Sequence, residues 1–113
     1  MLWFSCTPFQ PSKKDLLSQN VDFLIFKGNE YWEKRVEPEY AAWSRNFLLK
    51  AHQLRPQDKV TGLLYSRACF YEGKYIEQNK IKRDSLFIEG ALTALSIVLN
   101  IDSKEINSET ILN

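Results

Sequence analysis

From Leu17 to Trp32 the apolar positions fall at Leu17, Val21, Leu24, Ile25, Gly28, Tyr31 and Trp32, mostly in steps of three and four, which lines one side of an α-helix. Ser12, with Asp15 three residues on, has the form of a helix start in which hydroxyl and carboxylate serve the first free N–H groups. The spacing predicts a first helix over residues 12–35, broken near 18–20. The charged run Glu33, Lys34, Arg35 and the step Glu37-Pro38 close it, because proline disfavours helix in the residue before it.

A second stripe, Tyr40, Trp43, Ser44, Phe47, Leu48, Ala51 and Leu54, predicts a helix over residues 38–54 with proline in its first turn. The segment RPQD stops that helix, and Asp58 can cap a third one over residues 59–72. Its inward positions read as Val60, Leu63, Leu64, Ala68 and Tyr71, with Gly73 as a left-handed residue at its end. A fourth helix over residues 74–100 is polar in its first half and nearly continuous in apolar residues in its second, LFIEGALTALSIVLNI. That second half is expected to be buried on most sides, and with Glu89 inside it the run is too short for a membrane span.

Composition narrows the reading. Only four glycines and four prolines occur in 113 residues, too few turn formers for an all-β chain, so an all-α fold is expected. Fifteen basic against 14 acidic residues leave a net charge of +1 and no general electrostatic drive toward nucleic acid. The basic residues Lys80, Lys82 and Arg83 are balanced by Glu77 and Asp84 and read as a solvated helix face.

Candidate chemistry is sparse. Cys69 sits between Ala68 and Phe70 with no ligand or base at a useful spacing and reads as a buried structural thiol. His52 is the one histidine, so any histidine-assisted nucleophile would need it, and it reads as an ordinary surface or packing residue. No metal-ligand set, phosphate-gripping glycine loop or paired catalytic carboxylate is visible, and the expectation is a non-enzymatic chain without cofactor or metal. Trp32 and Trp43 are the aromatic candidates for a partner or ligand surface, since an indole combines a large apolar face with a polar N–H. At the N-terminus, Ser5 precedes Cys6 and the polar sequence TPFQPSKK follows, the junction expected where a bacterial lipoprotein carries its lipid. Only five residues precede Cys6, so that reading requires an export leader beginning upstream; the alternative is an unmodified tail.

The two expected helix pairs share a device. Gly28 precedes Tyr31 by three residues as Ala68 precedes Tyr71, and Ser44, Leu48, Ala51 and Pro56 follow a small, large, small, proline order. A small residue lets two antiparallel helices approach, and a large one fills the groove beside it. This is how tetratricopeptide-type units are built, and the expected architecture is an all-α, right-handed array of antiparallel helix pairs, two pairs long and partial. With GNEYWEKR, WSRNFLLKAHQLRP, YSRACFYEG and a late helix ending LNID, the chain from Val21 to Asp102 resembles the TatT family, the tetratricopeptide-like components of TRAP (tripartite ATP-independent periplasmic) transporter systems.

The resemblance implies a periplasmic lipoprotein anchored to the membrane at Cys6, assembling with itself and with the transporter's substrate-binding protein, and helping to deliver a hydrophobic or organic-acid ligand. Residues 1–11 would be signal remnant and tether, 12–102 the helical domain, and 103–113 a tail or the start of a further helix. The competing expectation is a generic tetratricopeptide-like adaptor with no transport role. Two pairs alone leave apolar surface open, so self-association or a continuing array is expected as well.

Overall fold

The structure, a computed structural model, describes residues 13–99. A 3-10 turn, Lys13–Leu17, precedes four α-helices: α1 (Val21–Trp32), α2 (Pro38–Leu54), α3 (Lys59–Tyr71) and α4 (Lys80–Leu99). A π-helical turn, Glu72–Ile76, follows α3 directly. The expected all-α fold of antiparallel helix pairs is present, and no strand occurs among the described residues.

Each helix packs against the next in chain order, and the touching residues run in opposite directions. Tyr31 stacks on Tyr40, Gly28 meets Leu48, and Lys50 reaches back to donate to the Leu16 carbonyl. Between α2 and α3, Arg45 meets Glu72 and His52 stacks on Tyr65. Between α3 and α4, Ser66 meets Gly90, and Ile97 lies against Gly62.

The break at residues 18–20 has a local cause. Asn20 is extended (φ −89°, ψ 107°), and its side-chain oxygen accepts the N–H of Phe23 at 3.1 Å, so α1 starts afresh at Val21. The expected start at Ser12 lies outside the described residues. Pro38 opens α2 as expected, and Asp58 accepts the Thr61 N–H at 3.1 Å to cap α3. Leu17, placed on the first stripe, is instead 73% exposed, because the 3-10 turn rotates it away from α2.

Three further expectations are corrected. Gly73 is not a left-handed stop; it lies inside the π-helical turn, where the ring of Phe87 comes so near that an added Cβ would sit 2.8 Å from Cε1. The fourth helix begins at Lys80 rather than Lys74, capped when Asn79 accepts the Lys82 N–H at 3.0 Å. The buried stripe of α3 is Thr61, Gly62, Tyr65, Ser66, Ala68 and Cys69, while Val60 and Leu63 are exposed. As the helix between α2 and α4, α3 is flanked on two sides, and small side chains there let both neighbours come close.

The second half of α4 is likewise not buried on most sides. Only Gly90 and Thr93 of that helix are buried, whereas Ile88, Leu92, Leu95, Val98 and Leu99 are exposed. The main apolar cluster belongs to the first pair, with Val21, Leu24, Tyr31, Phe47 and Ala51 at its centre. A second cluster, Leu48, Tyr65, Ala68 and Cys69, joins α2 to α3.

Candidate functional site

Trp32 ends α1, and the turn that follows folds Arg35 back over it. The Arg35 guanidinium donates to the Trp32 carbonyl at 3.0 Å and lies 4.3 Å from the centre of the indole ring. Arg67, on the outward side of α3, lies 3.9 Å from the centre of the same ring. Tyr71, one turn further along α3, meets Trp32 edge-on at 5.4 Å and carries Tyr75 at 5.0 Å, with the Lys74 ammonium 5.1 Å from the Tyr75 ring.

Trp32, Arg67, Tyr71, Lys74 and Tyr75 floor and rim an open groove of about 420 Å³, whose remaining wall comes from Leu63, Ser66 and Phe70, with Arg35 stacked on the indole outside that lining. Two guanidiniums on one indole gain cation–π attraction of roughly 0.5–2 kcal/mol each, depending on how far they leave water. They also repel one another. Partial burial and the charge of Arg35 both lower the pKa of Arg67, and Glu33 only partly offsets this. Ion pairs form elsewhere, at Lys27–Glu30, Arg45–Glu72 and Lys80–Asp84, and among the described residues no carboxylate lies within ion-pair distance of Arg35, Arg67 or Lys74. The groove therefore combines apolar ring faces with positive charge that Glu33 offsets only in part, a surface suited to an anionic group flanked by apolar atoms.

The two tryptophans singled out from the sequence are not brought together. Trp32 is in this groove, while Trp43 packs half-buried beside Phe47, with ring centres 6.0 Å apart, against the core of the first pair. Cys6 lies outside the described residues, as do residues 1–11 and 103–113. Arg67 escaped the sequence reading because its partner, Trp32, is on another helix. The i, i+4 spacings Arg67–Tyr71 and Tyr71–Tyr75 were the available signal that these side chains share a face.

His52 and Cys69 both border Tyr65 but form no activated pair. Burial lowers the pKa of His52, with Glu89 acting weakly against it, and the Nδ1 atom is buried without a hydrogen-bond partner. Burial pushes the Cys69 thiol up to about 11, so it stays protonated near neutral pH, without the charge a nucleophile needs. Burial also raises the pKa of Tyr65, whose hydroxyl donates to Glu89 Oε2 at 3.1 Å.

Among the described residues no three His, Cys, Asp or Glu side chains gather as a metal site, and no helix is long and apolar enough to cross a membrane. Comparison of the chain with protein-family models, with curated proteins and with solved structures finds no match.

Proposed function

We propose that this chain is a non-enzymatic helical adaptor that binds a protein partner, taking an acidic segment with apolar neighbours into the Trp32 groove. The observation that carries the reading is the Arg67 guanidinium on the Trp32 indole at an open aromatic groove, with Arg35 on the same indole and, among the described residues, no carboxylate at ion-pair distance of either. A partner's carboxylate beside Arg67 and Lys74 would offset the charge that Arg35 adds to Arg67, while its apolar side chains cover Phe70 and Tyr75.

The narrower form of the proposal comes from the resemblance to TatT proteins. In it the chain is a periplasmic lipoprotein held at the membrane through Cys6, and the partner is the substrate-binding protein of a TRAP-type transporter. Two acyl chains on one cysteine would suffice for stable anchoring, at about 0.8 kcal/mol per buried methylene.

The test uses the full chain and a panel of fluorescent peptides that alternate Glu with Leu or Phe, beside the same peptides with Lys in place of Glu. The acidic set should bind, weaken as salt rises, and lose at least about tenfold in affinity to Arg67→Glu. Equal binding of the basic set would overturn the reading. Competition by a free dicarboxylate below the peptide's own concentration would point to a small organic acid instead of a protein segment. Palmitate labelling that vanishes in Cys6→Ala supports the anchored form, and labelling that persists without Cys6 removes it.

A further inference from the structure

The outer face of α4 has a regularity that the fold does not use. Ile81, Ser85, Ile88, Leu92, Leu95 and Leu99 follow one another at alternating steps of four and three, the spacing of the two core positions in a coiled-coil heptad. All six are exposed, with Ile81 at 79%, Ile88 at 59% and Leu92 at 47%. The opposite side of the same helix is committed to α3. There Gly90 lies under Cys69 and Phe70, and its carbonyl accepts the Ser66 hydroxyl at 2.8 Å. Among the described residues the helix thus has one face packed on α3 and a second, apolar one exposed along its length of about 30 Å.

We propose that two copies of this chain join through this seam, with the two α4 helices antiparallel about a two-fold axis near Gly90 and Ala91. In that register Ile88 faces Leu92 of the second copy, Ser85 faces Leu95, and Ile81 faces Leu99. Each layer recurs on the other side of the axis, as an isologous interface requires.

Side-chain size selects the antiparallel direction. Ser85 is the one small residue of the seam, and a shallow cavity of about 400 Å³ opens at it, lined by Ile81, Asp84, Ser85, Ile88 and Glu89. The antiparallel register places Leu95 of the second copy over that hollow. A parallel pair would set Ser85 over Ser85 and leave the hollow empty, losing contacts on both sides.

Charge acts in the same direction. In a parallel pair Asp84 of each copy would flank Glu89 of the other, giving two like-charge meetings. The antiparallel pair instead sets Asp84 beside Val98 and Ala91 beside Ala91. It creates one like-charge meeting, Glu89 with its own counterpart, and the bond from the Tyr65 hydroxyl draws that carboxylate toward α3.

Sedimentation of the full chain with Cys6→Ser tests the proposal. A concentration-dependent dimer is expected, and Leu92→Glu should weaken it at least tenfold while leaving the helical circular dichroism unchanged. Val60→Glu, which alters an apolar residue on α3 that is more exposed than Leu92, should leave the dimer intact. Direction is read by cysteine cross-linking in the same background. A mixture of Ser85→Cys and Leu95→Cys chains should form the mixed disulfide, and Ala91→Cys should cross-link to itself. A monomer up to 100-fold above the concentration used for binding, a dimer indifferent to Leu92→Glu, or self-cross-linking of Ser85→Cys in place of the mixed product would each overturn it. Vesicle binding that Leu92→Glu abolishes, with the protein monomeric throughout, would assign the seam to a lipid surface and reject the dimer.

Discussion

The two helix pairs are closed by the same bond and filled by different means. In the first pair the Ser44 hydroxyl of α2 donates to the Gly28 carbonyl of α1 at 2.8 Å; in the second the Ser66 hydroxyl of α3 donates to the Gly90 carbonyl of α4 at 2.8 Å. The serine comes from the second helix of one pair and the first helix of the other. Around the first contact lie Leu24, Phe47 and Leu48, all fully buried. Around the second lie Cys69 and Phe70 against Gly90, with Ile97 seated on Gly62 while Ile88, Leu92, Leu95, Val98 and Leu99 turn outward. The first pair is thus closed by apolar burial. The second is closed where single large side chains sit on glycines, Ile97 on Gly62 and Phe70 on Gly90, which leaves most aliphatics of α4 available to something outside the pair.

The comparison is broken most severely at Phe47. Phe47→Ala should destabilise the chain by about 4 kcal/mol, the usual range for emptying a packed aromatic site, read as a lower denaturant midpoint with unchanged slope. If the first pair were held mainly by its serine bond, the loss would stay near 1 kcal/mol.

The connection between the pairs comes next. Arg45 Nε meets Glu72 Oε1 at 2.6 Å, tying α2 to the end of α3, and the Glu72 side chain is only 8% exposed. Burial works against the Arg45 charge, and the bond to Glu72 more than compensates, raising its pKa. Arg45→Ala strands a buried carboxylate and should cost about 3 kcal/mol, with much of the loss recovered when Glu72→Gln is added. An additive double variant would show that the two side chains do not act as a pair.

The shared bond gives the third test. Ser44→Ala and Ser66→Ala should each cost about 1 kcal/mol, and by similar amounts, since both hydroxyls are buried and both carbonyls lie at crossings. A much larger loss at Ser66 would mean that the second pair depends on this bond in a way the first does not.

The smallest effect concerns His52, at the junction of the pairs. Its pKa is lowered in the folded chain, so below about 6.5 the unfolded chain takes up the proton first. The stability due to its neutral form is complete above that value and is lost as pH falls toward the folded pKa. A drop in the denaturant midpoint between pH 7.5 and 5 is expected, and His52→Gln should reduce it. An equal drop in the variant would assign the pH dependence to other groups.

Much of the first pair was legible in the residues. Pro38, Asp58 and the stripe from Tyr40 to Leu54 marked α2 and the start of α3 to the residue, because caps and proline act through neighbours in the chain. The break before Val21 was legible too, although Asn20, not Ser12, supplies the described cap. The stripe of α3 was misjudged because aliphatic side chains were assumed to point inward. With helices on two of its sides, the available space admitted Gly62, Ser66 and Ala68 rather than Val60 and Leu63. Of the groove, Trp32 was legible as an exposed-type aromatic, but Arg67 acquires meaning only beside it.

By itself the sequence determined the helical class, the helix boundaries set by Pro38, Asp58 and the charged turns, and the small residues at the crossings. These follow from backbone geometry and side-chain period, which act over a few residues. Only the tertiary structure decided that Gly73 serves Phe87 instead of ending a helix, that Arg35 and Arg67 share one indole, and that the apolar half of α4 faces outward. Those outcomes depend on which helices come together and on the space left between them, and no local pattern of apolar and polar residues encodes that distance.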